Sequence, residues 1–593
     1  MKRLSLILAL LLCLPLCPVA ARAEDTPAPE VFNSGDYEYI LLEDGTAQIT
    51  GYNGKESDLV IPSALDGVPV TSIGDKAFAF RYNDLTSVII PDSVISMGIN
   101  PFYYCKKLTS IQVSRDHPVF TTIDNVLFEK TTKKLICYPL GKTEKSYAIP
   151  QGIQAIGDAA FYSSERLTSI TIPDSIISMG INPFADCWRL NSFSISPNHP
   201  VFSVVDGVLF EKTTKTLICY PKGKTGSRYA IPQGVEVIGS EAFYECYSLT
   251  GVTIPNGVTT IGDSAFYWCS GLTSVTIPGS VTAIGDRAFR LCKGLTNLTI
   301  PGNVTTIGAS AFAECESLTR VTILDGVTTI GDKAFYFCKN LKSVTISDGV
   351  TTIGDEAFSA CSSLISISIP DSVTSMGSNP FAYCERLTSF NVSPDHPVFA
   401  IIDNVLFEKA SRRLICYPNG KTGKSYVIPQ GIQMIGDGAF YGCSSLASIT
   451  IPDSVTTIGS EAFSSCRGLS NVTIPDGVTT IGDHAFYGCS GLTSVTIPDG
   501  VTTISDHAFC GCSGLTSVAI PDGVTTIGVS AFSYCDNLAS VTIPDSVTFI
   551  GKNAFHRCPN LIVTVSRNSY AFQYCQNNEI PCVYPDSNNW LNP

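Results

Sequence analysis

The chain has 593 residues, 44% of them hydrophobic and only 15% charged, with 48 Gly and 35 Pro. That is too apolar for a disordered chain and too heavily punctuated by helix-breaking residues for a helical bundle. The net charge is −14, and loss of Lys2, Arg3 and Arg22 with a leader would make it −17; an acidic surface argues against nucleic acid and anionic membranes as partners.

Residues 1–23 read as a signal peptide. Lys2 and Arg3 supply the positive start, Leu4 to Leu16 the apolar stretch, and Ala21-Arg22-Ala23 the small-x-small cleavage site. The apolar stretch is short for a membrane span, and no second run is long enough, so membrane insertion is not expected. Residues 24–70 predict an N-terminal β cap. Tyr37-Glu38-Tyr39-Ile40 and Ala47-Gln48-Ile49-Thr50 flank a Glu43-Asp44-Gly45 turn, which is a hairpin signal.

From 71 to 566 the chain repeats itself. An Ala-Phe pair recurs with a Cys three residues on, and Phe243, Phe266, Phe289, Phe312, Phe335, Phe358 and Phe381 are each 23 apart, as are Phe440 through Phe555. Phe78 to Phe555 spans 17 units. A fixed period of this size is the signature of a solenoid, whose units cannot bury their apolar sides alone. In the unit Leu272–Gly294, Ser274 to Ile277 alternate polar and apolar, which predicts a strand with Val275 and Ile277 inward. Pro278 ends the strand. Val281 and Ile284 return to the core, Asp286 is a candidate helix N-cap, and Ala288, Phe289 and Cys292 share the inner face of about one helical turn. The predicted fold class is thus an α/β repeat: stacked parallel strands with short helical turns. At about 4.8 Å per strand the 17 units would extend roughly 80 Å.

Three inserts, near 114–149, 196–231 and 393–428, lengthen the Phe-to-Phe spacing to 59. Each holds His-Pro-Val-Phe (His117, His199, His396), then Val-Leu-Phe-Glu-Lys, a short polar stretch and Leu-Ile-Cys-Tyr-Pro. Two strand-like runs joined by polar residues predict a β-hairpin, and the inserts read as a second kind of module. Residues 567–593 are expected to cap the far end, where an open ladder edge would invite aggregation.

Leu-x-x-Val-x-Ile-Pro followed by Ile-Gly-Asp-x-Ala-Phe-x-x-Cys resembles the BspA-type bacterial leucine-rich repeat, from about Asp58 to Cys582. One departure is at the bend, where Ser280 stands in place of the Asn usual in leucine-rich repeats. Members of this family are typically surface or secreted proteins of bacteria and some protists, and several are adhesins for host matrix proteins or other cells. The resemblance therefore implies a binding protein, and the missing catalytic signatures make it a non-catalytic one. Its implied partners are extracellular proteins or glycans, including host matrix or other cells.

No candidate catalytic, cofactor-binding or metal-binding residues emerge. Of the 23 Cys, Cys246, Cys269, Cys292, Cys315, Cys338 and Cys361 hold one repeat position, so their side chains run parallel and suit buried thiols better than bridges. Cys575 and Cys582, outside that ladder, are the disulfide candidate. The three insert histidines suit a turn role better than a metal site. Gly420-Lys421-Thr422-Gly423-Lys424-Ser425 lacks the Gly five residues ahead that a phosphate loop needs, so it reads as a turn. Candidate ligand-binding residues lie on the outward strand face: Ser274, Thr276, Ser343, Thr345, Ser494, Thr496, Ser540 and Thr542. The favoured function is a secreted or cell-surface adhesion protein; the alternatives are a self-associating surface-layer component and an enzyme. The sequence leaves the oligomeric state open.

Overall fold

The computed structural model describes residues 29–79 and 85–584. The expected leader and residues 585–593 of the expected terminal cap lie outside the described residues. The chain divides into two units. One runs to Thr143 and adds Ile153–Ser164 and Ser178–Pro183; the other comprises Glu144–Gly152, Glu165–Ile177 and everything from Phe184.

In the first unit, Val31–Ser34, Tyr37–Leu41 and Ala47–Tyr52 pair antiparallel, and the last then pairs parallel with Val68–Ile73. Tyr39, Ala47, Ile49 and Tyr52 turn into the core. An antiparallel start thus hands over to the parallel ladders of the repeat.

A rung of the second unit shows how the repeat is built. Ser274–Thr276 pairs in parallel with Gly251–Thr253, Ser274 opposite Gly251 and Thr276 opposite Thr253. After the Pro278 bend, Ser280 Oγ donates to Val258 O (2.7 Å) and accepts from Gly257 N (3.1 Å). A serine thereby ties the bend to the previous rung. A second strand follows, only two residues long: Ala283–Ile284 pairs with Thr260–Ile261 and Thr306–Ile307 within a ten-stranded sheet.

The helical turn expected next is not a helix, and the α/β label is corrected to a solenoid of parallel strands with almost no helix. Arg287 (φ 54°) and Leu291 (φ 62°) adopt the left-handed region, which breaks the run of right-handed residues a helix requires. The backbone amides point along the stack instead: Arg287, Phe289 and Leu291 donate to Ala309, Ala311 and Ala313 of the next rung at 2.8, 2.7 and 2.9 Å. Asp286 does not cap its own turn; its Oδ1 accepts from Ala309 N, 2.7 Å away in the next rung. Among the described residues the one α-helix is Tyr570–Asn577, N-capped by Ser569, whose Oγ accepts from Phe572 N (3.1 Å).

Stacking in register turns each apolar position into a ladder. The rings from Phe243 to Phe381 lie within 10° of parallel, centroids 4.7 to 5.9 Å apart. Beside them the thiols of Cys269, Cys292 and Cys315 donate to the carbonyls of Phe243, Phe266 and Phe289 at 3.0, 3.2 and 3.3 Å.

In the second insert Phe202–Val205, Val208–Glu211 and Thr216–Cys219 pair antiparallel, and the third strand then pairs parallel with Val237–Ile238. Tyr220, 23 residues before Phe243, stacks on its ring at 5.2 Å. Tyr138 and Tyr417 do the same to Phe161 and Phe440 at 5.4 and 5.2 Å. The second half of each insert is therefore a rung with Tyr in the Phe position.

Candidate interaction surface

The eight hydroxyl residues expected on the outward strand face are all exposed: Ser274, Thr276, Ser343, Thr345, Ser494, Thr496, Ser540 and Thr542. Register lines them up along the sheet, with Ser494 opposite Ser517 and Ser517 opposite Ser540. The columns are not uniform. Arg320 stands opposite Ser343, and Ala519 opposite Thr542. One position earlier, Thr hydroxyls are turned back on the fold: Thr273 and Thr319 donate to Thr250 O and Thr296 O, both at 3.0 Å.

The buried polar groups serve the fold. His117, His199 and His396 are fully buried. In each, Nδ1 accepts two backbone amides; for His199 these are Val201 N and Phe202 N at 3.2 and 3.1 Å. Nε2 donates to a prolyl carbonyl, Pro173 O at 3.0 Å, which fixes the neutral tautomer. Lys212 Nζ then binds His199 O (2.7 Å). Burial depresses the His117 pKa below the ordinary value. Burial also pushes the Cys105, Cys269 and Cys338 thiols up to about 12, which makes them poor nucleophiles. Cys575 and Cys582, the disulfide candidate, carry free thiols, the first buried and the second half-buried. Among the described residues no group of three or more His, Cys, Asp or Glu could hold a metal ion. A cavity of about 340 Å³ lies between the last rung and the terminal helix, lined in part by His556, Arg557, Tyr574 and Glu579.

The most distinctive surface chemistry lies beside the inserts. Gly141, Gly223 and Gly420 fall at the Cys position of the insert rungs. Gly223 N donates to Leu190 O (2.9 Å), and a Cβ there would sit 2.6 Å from the Arg189 carbonyl carbon. Gly141 and Gly420 press on Lys107 and Arg386 in the same way. These Gly-Lys-Thr turns are thus close backbone approaches. The chain sinks inward there, and aromatic side chains from the flanking rungs meet over it: Tyr103 with Tyr162 at 3.8 Å, Trp188 with Tyr247 at 5.4 Å, Tyr383 with Tyr441 at 4.4 Å.

The junction at the second insert is the richest. Trp188 and Tyr247 are 8° from parallel, Trp268 meets Tyr247 edge-on at 5.8 Å, and Tyr244 stacks on Tyr267 at 5.2 Å. Beneath them Lys222 Nζ bridges Asp186 (2.8 Å) and Glu245 (3.0 Å), with side chains only 7 to 10% exposed. The same ammonium lies 4.4 Å from the Trp188 centroid and 5.0 Å from that of Tyr244. Burial alone would depress the Lys222 pKa, but Asp186 and Glu245 hold it above the ordinary value. Burial raises the Glu245 carboxyl despite Lys222. Sequence reading missed this cluster because its members are 36 and 59 residues apart; the available signal was that two of only three Trp flank one insert.

Strands in register, inter-rung bonds and a buried Phe–Cys ladder define a leucine-rich-repeat solenoid. The sequence matches the BspA type leucine rich repeat region over residues 71–140, 137–222, 218–335, 305–430 and 433–562. The chain belongs to that family. Among solved structures it is similar to a leucine rich cell surface protein of Faecalibacterium prausnitzii A2-165, at 26% identity over 94% of this chain and 98% of that one, TM-score 0.35. It is also similar to a leucine-rich repeat protein of Bacteroides ovatus ATCC 8483, at 29% identity over 65% of this chain and 97% of that one, TM-score 0.41. No curated relative matches the chain. Among the described residues no helix is long and apolar enough to cross a membrane.

Proposed function

We propose that this chain is a secreted or cell-surface, non-catalytic protein that binds extracellular proteins, glycans or other cells through its solenoid surface. The observation that carries the reading is the exposure of Trp188 and Trp268, each 39%, in a fold that buries its repeat phenylalanines almost completely. Exposed aromatic groups clustered on a rigid scaffold are costly in water and useful in recognition. The Lys-Arg start and small-x-small site of residues 1–23 support export. The repeated rungs support many weak contacts acting together. The test is binding of residues 24–593 to arrays of matrix proteins, mucins and glycans. A saturable ligand supports adhesion; a blank array at high protein concentration overturns it.

A further inference from the structure

We propose that the junction around Trp188 and Trp268 is a docking site for a basic protein segment, whose Arg or Lys heads lie against the exposed indole rings and the half-buried phenol rings beside them. The proposal rests on the adhesion reading and gives its partner a chemistry.

Four observations carry it. The aromatic groups are concentrated: two of the three Trp in the chain, with Tyr244, Tyr247 and Tyr267, fall in one place. They are pre-set. The Lys222–Asp186–Glu245 bridge is nearly sealed from water and Gly223 is pressed against Arg189, so little side-chain freedom remains to be lost on binding. The rings already receive cations from the chain itself: Lys222 at Trp188 and Tyr244, and Arg290 at Tyr267, 6.0 Å from its centroid. Aromatic faces carry negative potential and attract guanidinium and ammonium groups. Lastly, the charge of the chain as a whole favours a basic partner. One ammonium lies between two carboxylates at the junction, and the chain as a whole carries −14. A basic partner is steered toward such a surface and a polyanion is repelled.

The experiment measures binding of residues 24–593 to an immobilised arginine-rich peptide, to its citrulline counterpart and to a panel of neutral glycans. Trp188→Ala with Trp268→Ala removes the rings without changing charge, and Trp188→Phe with Trp268→Phe restores an aromatic face. The expected result is saturable binding to the arginine peptide, little to the citrulline one, a loss of roughly tenfold or more in the Ala pair and partial recovery in the Phe pair. Circular dichroism of both pairs confirms folding. Equal affinity of wild type and a folded Ala pair would overturn the proposal, because net charge alone would then explain the attraction. Glycan binding lost in the Ala pair, with no peptide binding, would overturn it in favour of a sugar site. If the chain binds matrix proteins but not the peptide, this assignment fails while adhesion stands. If nothing on either array binds, both fail.

Discussion

The thiol of Cys292 donates to the carbonyl of Phe266, 26 residues earlier and 3.2 Å away. That carbonyl also accepts from Cys269 N (3.1 Å), so both its lone pairs are used and the buried thiol has a partner. The ladder cysteines are hydrogen-bonding parts of the core as well as apolar filler. Cys292→Ala should lower stability by about 1 to 2 kcal/mol in denaturant titrations, from lost packing and one weak bond. In the folded protein Cys269 and Cys338, with pKa values near 12, should resist thiol reagents at pH 8 and react only when denaturant is added.

Protonation of His117 would place a third N–H against the amides of Val119 and Phe120, which now donate to its Nδ1. Burial holds its pKa below the ordinary 6.5. The unfolded chain therefore binds this proton first as pH falls, and stability is complete above that ordinary value and lost below it. The denaturation midpoint should fall between about pH 7 and pH 5, and His117→Gln, measured alongside, should flatten that part of the profile.

Gly223→Ala tests whether the inward approach of the insert turn is required. The new Cβ would meet the Arg189 backbone at 2.6 Å, and backbone atoms cannot swing aside. Destabilisation of about 2 to 3 kcal/mol is expected, with altered tryptophan fluorescence because Trp188 lies one residue from the clash.

Lys222→Met keeps the volume but leaves Asp186 and Glu245 buried without their cation. Near neutral pH this should cost about 3 to 5 kcal/mol. Both carboxyls would then have folded pKa values above their unfolded ones, so the variant should regain stability as pH falls. Thermal melts at two pH values distinguish this from simple misfolding, which acid would not relieve.

The period, the inward Phe and Cys positions and the strand Ser274–Thr276 were legible because each follows a simple spacing. The second strand was not: Ala283–Ile284 is two residues long, too short for alternation to register. The false helix has a physical origin. The spacing of Ala288, Phe289 and Cys292 fits a helical turn, and nothing in Arg287 or Leu291 announces a left-handed backbone. The hydroxyl face was legible as a pattern, whereas the aromatic junctions arise only when the insert rung sinks and joins side chains far apart in sequence.

Asp286 gives Ala309 N the acceptor that Asp263 gives to Asp286 N, and Asp332 gives the same to Asp355 N. The relay passes on only where the acceptor position is itself an aspartate: Ala309 receives the bond and has no carboxylate to offer the next rung. The backbone joints, such as Phe289 N to Ala311 O and Phe312 N to Ala334 O, are of one kind through this stretch, so duplication or loss of one 23-residue segment leaves the remaining backbone joints of the same kind. Molecular reach can then vary by copy number without a new fold. The insert rungs are exempt, since the Tyr220 and Gly223 fittings have no equivalent in an ordinary unit, and they fix where the distinctive surfaces stand however many plain rungs lie between them.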